Sequence, residues 1–246
     1  MKRLLCLLLL LLLVGPSAAE AQSLNLDALM PQGDTTVSGR MVQLILIVTV
    51  LSVAPGILMM VTCFTRFVVV LSLLRTGLGL QTTPANLILI SLALFMTFYV
   101  MAPTFDKAWQ NGLKPYVENK ISEEVAYQQV TQPLREFMRA NVREKDLQLF
   151  EDLAADRFAA QAPQGDTELR ILIPAFMISE LRRGFEMGFL VVLPFLVIDM
   201  IVATLTMSMG MMMLPPTIMS LPFKILFFVL IDGWNLLIGG LVRSFP

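Results

Sequence analysis

The sequence predicts an all-α membrane protein: two helical hairpins of Pro-kinked helices, four apolar segments in all, with a small helical periplasmic domain inserted between them. Three observations carry that prediction. Hydrophobic residues make up 56% of the 246-residue chain against 15% charged, with a mean hydropathy of +0.74, outside soluble globular composition. The apolar residues gather into long runs. One central stretch, 103–170, instead mixes charges with helical periodicity.

Lys2-Arg3, an apolar run over residues 4–14, Gly15-Pro16 and a small-residue stretch holding Ala19 and Ala21 have the order of a secretory signal peptide. The run is too short to span a bilayer as a mature helix. Residues 1–21 are therefore expected to be cleaved after Ala21, with Ala19 as the alternative. Residues 22–40, rich in Gly, Ser, Thr and Asp, then form a flexible periplasmic lead. Cys6 leaves with the signal peptide, so no disulfide can form within the mature chain; Cys63, in an apolar helix, reads as a small buried hydrophobe.

Residues 41–102 form the first hairpin. As one straight helix, residues 41–74 would reach roughly 50 Å, well beyond the ~30 Å hydrocarbon core. Pro55-Gly56 is the expected kink, since proline removes a backbone donor and clashes with the preceding turn. Gly77, Gly79 and Pro84 mark a tight turn before residues 85–101 span again. Arg66 and Arg75 near that turn place it on the cytoplasmic side by the positive-inside tendency.

The inserted domain, 103–170, carries amphipathic patterns over 122–143 and 146–160, with Ser122 as N-cap and Glu123-Glu124 in the first turn, favourable to the helix dipole. Residues 171–246 form the second hairpin, broken at Pro194 and carrying Pro222 early in its second arm. Its two arms meet at Met207, Met209, Met211, Met212 and Met213, followed by Pro215-Pro216. Methionine is unbranched and polarisable, so such a cluster makes a soft surface able to close on many shapes.

Seven ionisable residues lie in or beside the last two apolar segments: Glu180, Arg182, Arg183, Glu186, Asp199, Lys224 and Asp232. Such groups are costly in hydrocarbon, at least ~3 kcal/mol each at a helix centre, so they face a partner or water. Glu180 with Arg183, and Arg182 with Glu186, share helix faces and can neutralise locally. Asp199 and Lys224 can pair only between helices or between subunits. Bridging of packed helices and an ion relay both remain open from the residues alone.

The chain has no histidine, which excludes a His-based triad, a His-ligated zinc site and a His proton switch. It has no G-x-x-x-x-G-K-[ST] loop, and Gly77 with Gly79 falls short of a dinucleotide fingerprint. No enzymatic activity and no cofactor are expected. A net charge of −1 with mixed signs gives no reason to propose nucleic acid. Thioether clusters bind Cu(I), which leaves a copper or small-solute transporter subunit as the alternative reading.

The stretch from Ala175 to Phe189, with Leu193 to Asp199, Met207 to Met213, Leu221-Pro-Phe-Lys224 and Asp232-Gly-Trp234, resembles the FliP family of the flagellar type III export gate, which has relatives in injectisomes. Thr62 to Arg66, Val70 to Arg75 and Gly79 to Pro84 look like the same family's first hairpin. The resemblance covers nearly all of the chain from Met41 onward, and the signal peptide favours the flagellar branch. It implies about five copies of this subunit in a ring or shallow helix with FliR-like and FliQ-like membrane subunits. Other export-apparatus proteins of the basal body and unfolded protein cargo would be further partners. It also implies an inner-membrane location with the assembly raised toward the periplasm, charges that become contacts within or between subunits, and a methionine loop acting as a gasket.

Overall fold

A computed structural model describes residues 37–158, 169–210 and 215–245; all regular structure there is helical, with no strand among the described residues. The expected signal peptide and most of the 22–40 lead lie outside the described residues. Residues 37–40, assigned to the lead by composition, belong to the first helix. The chain divides into two compact units, 1–50 and 51–246. Within the first, the described backbone is helical throughout.

Helix α1 spans Val37–Met60 and α2 spans Phe64–Gly77. Helical assignment runs through Pro55-Gly56, and the interruption falls at Val61-Thr62-Cys63 instead. Thr side chains offer the backbone alternative partners there. The Thr62 hydroxyl accepts from the Phe64 N–H at 3.4 Å, and the Thr62 and Thr65 hydroxyls donate to the Met59 carbonyl at 3.5 Å. Such local bonds compete with the helical ladder.

Helix α3, Asn86–Ala108, continues through Pro103 into a π-turn at Trp109–Leu113 and the short α4, Lys114–Val117. The whole run of 32 residues passes the boundary expected at residue 103 without a break. Helices α5, Glu123–Asn141, and α6, Glu144–Phe158, follow. Ser122 stands at the N-cap of α5 with extended backbone, as its sequence context predicts, yet its side chain makes no capping bond.

Helix α7, Leu169–Ser208, is a single 40-residue helix that takes in Pro174 and Pro194. Pro194 offers no N–H to the Leu190 carbonyl, but the helical assignment is unbroken on either side of it, so the expected break there is absent. Apolar helices tolerate internal proline when neighbouring groups satisfy the freed carbonyl. At 1.5 Å per residue α7 measures ~60 Å, about twice the hydrocarbon core. Helix α8 spans Pro216–Leu230 and α9 spans Gly233–Arg243, meeting at 64°.

Among the described residues, two helices are long and apolar enough to cross a membrane, or up to four if each broken pair, Leu44–Met60 with Phe64–Gly77 and Pro216–Leu230 with Gly233–Arg243, counts as one span. Only 17% of the most apolar stretch of α7 is buried within the chain, so the remainder must meet lipid or other protein.

Two clusters make the core among the described residues. The larger joins Phe67, Val70, Leu71 and Leu74 of α2 to Ala93 and Met96 of α3, Phe195 of α7 and Leu241 of α9. The smaller docks the inserted helices onto the start of α7, through Met138 and Leu147 against Leu172, Ala175 and Phe176. The Ser179 hydroxyl reinforces it, accepting from the Arg143 N–H at 3.0 Å and donating to Asp146 at 2.7 Å.

Candidate functional site

Helices α2 and α7 run parallel and meet along a row of residues spaced four apart on α7: Glu180, Gly184, Gly188 and Val192. Facing them on α2 are Arg66, Val69, Leu73 and Gly77. Residues four apart lie on one face of a helix, and Gly184 with Gly188 is the small-xxx-small spacing that lets two apolar helices approach closely. A Cβ added to Gly184 would lie 3.1 Å from Val69 Cβ, and one on Gly188 would lie 2.4 Å from Leu73 Cδ1. The backbone of α7 therefore rests directly on the side chains of α2.

Each end of this seam is closed by a buried cation. At the first, the Arg66 guanidinium, 1% exposed, donates through Nε and a terminal nitrogen to both carboxylate oxygens of Glu180, which is fully buried. Its other terminal nitrogen donates to the Ser244 hydroxyl at 2.8 Å and the Ser244 carbonyl at 3.2 Å. The guanidinium carbon lies 3.6 Å above the centre of the Phe245 ring. That ring also meets Phe67 edge-on at 5.6 Å and stacks on Phe137 of α5 at 6.1 Å. A forked guanidinium can serve all these partners at once, which a lysine could not.

At the second end, the Lys224 ammonium, 3% exposed, donates to Asp199 Oδ2 at 2.6 Å and to the Gly77 carbonyl at 3.0 Å. The Ser220 hydroxyl donates to the other oxygen of Asp199. One lysine thus ties α8 to α7 and to the last turn of α2.

The structure sorts the seven ionisable residues accordingly. Asp199 and Lys224 pair between helices within one chain. Glu180 turns to Arg66 rather than to Arg183, because the row it shares with Gly184 and Gly188 points at α2. Arg182 and Glu186 pair at 2.9 Å along α7, but both are more than half exposed, so water screens the pair and it adds little to stability. Asp232 forms no ion pair among the described residues; it occupies left-handed backbone, φ 52°, at the joint of α8 and α9. Arg66 is the functional partner that reading the second hairpin alone missed. Its signal is its position, a lone cation inside a long apolar run.

Met207 and Met209 lie beyond this end of the seam, 63% and 67% exposed, and Gly210 turns the chain with φ +74°. Met211, Met212 and Met213 lie outside the described residues. No three His, Cys, Asp or Glu side chains converge on a possible metal position among the described residues.

Substituting Lys224→Asp sets two carboxylates side by side and withdraws the donor from the Gly77 carbonyl. The expected cost is about 3–5 kcal/mol, the range for half of a buried pair. It is read as a lowered melting temperature of the detergent-solubilised protein, with partial recovery when Asp199→Lys is added. A melt unchanged from the parent would mean that the lysine faces water.

Residues 47–241 match the model of the FliP family. A flagellar biosynthetic protein FliP of Agrobacterium fabrum is 59% identical over 234 residues, covering 95% of this chain and 96% of its own length. One of Rhizobium meliloti is 62% identical over 227 residues, covering 92% and 93%. One of Bacillus subtilis is 52% identical over 204 residues, covering 83% and 91%.

Proposed function

The chain belongs to the FliP family, and from that membership we propose that it is a pore-forming subunit of the flagellar type III export gate. It passes unfolded flagellar subunits across the inner membrane. The observation that carries this reading is near-full-length identity to proteins named for flagellar biosynthesis. The physical character of the chain supports it. Helix α7 is too long to stand in lipid alone, its Glu180 and Asp199 carboxylates are already matched inside the chain, and most of its apolar face is free for neighbours. A subunit of this kind suits an assembly of about five copies with FliR-like and FliQ-like subunits and other basal-body export proteins, raised toward the periplasm. The gate performs no covalent chemistry; energy enters through other components.

In this reading Met207, Met209, Met211, Met212 and Met213 form a gasket. A pore for unfolded chains of any sequence must admit many shapes yet hold back ions, and flexible thioethers meet both demands where a fixed polar filter meets one. The test uses cells lacking this gene. Re-expression of the chain restores secretion of flagellar subunits. The combined Met209, Met211, Met212 and Met213→Ala variant assembles but raises ion flux through the reconstituted complex. Secretion that persists without the gene overturns the gate; unchanged ion flux overturns the gasket.

A further inference from the structure

The second half of α2, the loop over 78–85 and the joint of α8 and α9 enclose a groove of about 320 Å³. Leu74, Leu78, Leu89, Phe228 and Trp234 line it, and Arg75 is the one charged residue in its wall among the described residues. Trp234 closes one side, edge-on to Phe228 at 5.4 Å between ring centres and 41% exposed.

Arg75 differs from the two buried cations, Arg66 and Lys224. Arg66 has Glu180 and Lys224 has Asp199, but among the described residues no carboxylate lies within ion-pair distance of Arg75; its guanidinium donates to the neutral Asn86 side chain. Residues 35–105 contain no Asp or Glu at all. A half-buried cation beside apolar surface favours a countercharge, and this one stands in the wall of a slot lined mostly by apolar side chains. We infer that the groove holds one acyl chain of an anionic phospholipid whose phosphate pairs with Arg75. A lipid supplies in one molecule both things the site lacks, an apolar tail and a negative head. A zwitterionic lipid brings its own cation to the same place and matches Arg75 less well. The positive-inside tendency sets this turn in the leaflet where anionic lipids gather, and basic pockets between apolar helices bind such headgroups. The inference rests on the membrane location of the chain and not on the export gate.

The chain has two tryptophans, Trp109 and Trp234, so Trp109→Phe leaves a single reporter inside the groove. The full chain carrying that change is reconstituted in phosphatidylcholine vesicles containing either phosphatidylglycerol or phosphatidylcholine with brominated acyl chains, and quenching of Trp234 is measured. Brominated phosphatidylglycerol should quench at about five-fold lower mole fraction than brominated phosphatidylcholine, the preference expected of one arginine near an anionic headgroup. Arg75→Gln should abolish the difference and Arg75→Lys should keep it. Raising salt on the Arg75 protein should narrow the difference too, a measurement that stands even where a substitution fails to fold. Equal quenching by both lipids would reduce the groove to ordinary apolar contact and overturn the inference. Quenching by neither would show that protein covers the groove, and would overturn it as well.

Discussion

Replacing Glu180 by Ala is expected to destabilise the protein by about 3–5 kcal/mol, because it leaves the Arg66 guanidinium buried beside α7 without its carboxylate. The remaining partners cannot compensate. Ser244 offers neutral oxygens and Phe245 offers the face of a ring, which hold a cation in place but do not cancel its charge. With typical domain stability in the range of about 5–15 kcal/mol, a loss of that size removes much of the folded population. The measurement is the melting of purified protein in mild detergent, together with the amount recovered from membranes. A second variant separates charge from packing: Arg66→Met with Glu180→Leu removes both ions at similar volume and should regain most of the loss, since a buried pair is often replaceable by well-packed apolar groups. A Glu180→Ala protein that melts like its parent would show that water reaches this end of the seam.

Gly188→Val is expected to be damaging for a different reason. A Cβ at this position lies 2.4 Å from Leu73 Cδ1 and 3.1 Å from Leu73 Cβ, so Leu73 must leave its rotamer or the two helices must part. Overpacking of this kind costs about 1–3 kcal/mol, and more where the neighbour is pinned. Parting the helices would also stretch the bonds from Lys224 to Gly77 and from Arg66 to Glu180, which close the same seam. The loss should therefore exceed that of a valine placed at an exposed α7 position such as Phe189. Adding Leu73→Ala, which clears the space, should recover part of it in the same melting experiment. If Gly188→Val melts no lower than Phe189→Val, the close approach of the two helices is not what holds them.

Much of this was legible in the chain. Composition and run length pointed to apolar helices and to a helical insertion, and the charges in the second hairpin marked positions that matter. Their partners were harder to read. Glu180 and Arg183 have the spacing of a local pair, and spacing within one helix says nothing about what lies across from it. The row Glu180, Gly184, Gly188 held the missing information: two glycines four apart mark the face that touches another helix, and a carboxylate on the same row must point the same way. Its complement, Arg66, lies 114 positions earlier, beyond the reach of any local pattern. Proline is the strongest local signal in these runs, yet the helical assignment does not end at it. Pro55 and Pro194 sit inside helices, while the break at Val61 to Cys63 follows from Thr hydroxyls bonding to nearby backbone. The methionine loop stands out by composition, and three of its residues, Met211, Met212 and Met213, lie outside the described residues.

The bond from Arg66 to Ser244 joins residues 178 positions apart. At about 5–20 residues per second of synthesis, Arg66 leaves the ribosome roughly 9–36 seconds before the group that completes its shell. Throughout that interval α2 and α3 can pair while Arg66 on α2 stays half-served, waiting on Glu180 and then on Ser244-Phe245. The order of translation thus becomes an order of assembly: α2 and α3 can form early, but the dry, closed arrangement around Arg66 is reached only after α9 docks. A folding intermediate of this protein should be sought as a species in which the first helical pair is protected from hydrogen exchange while the backbone around Arg66 still exchanges freely.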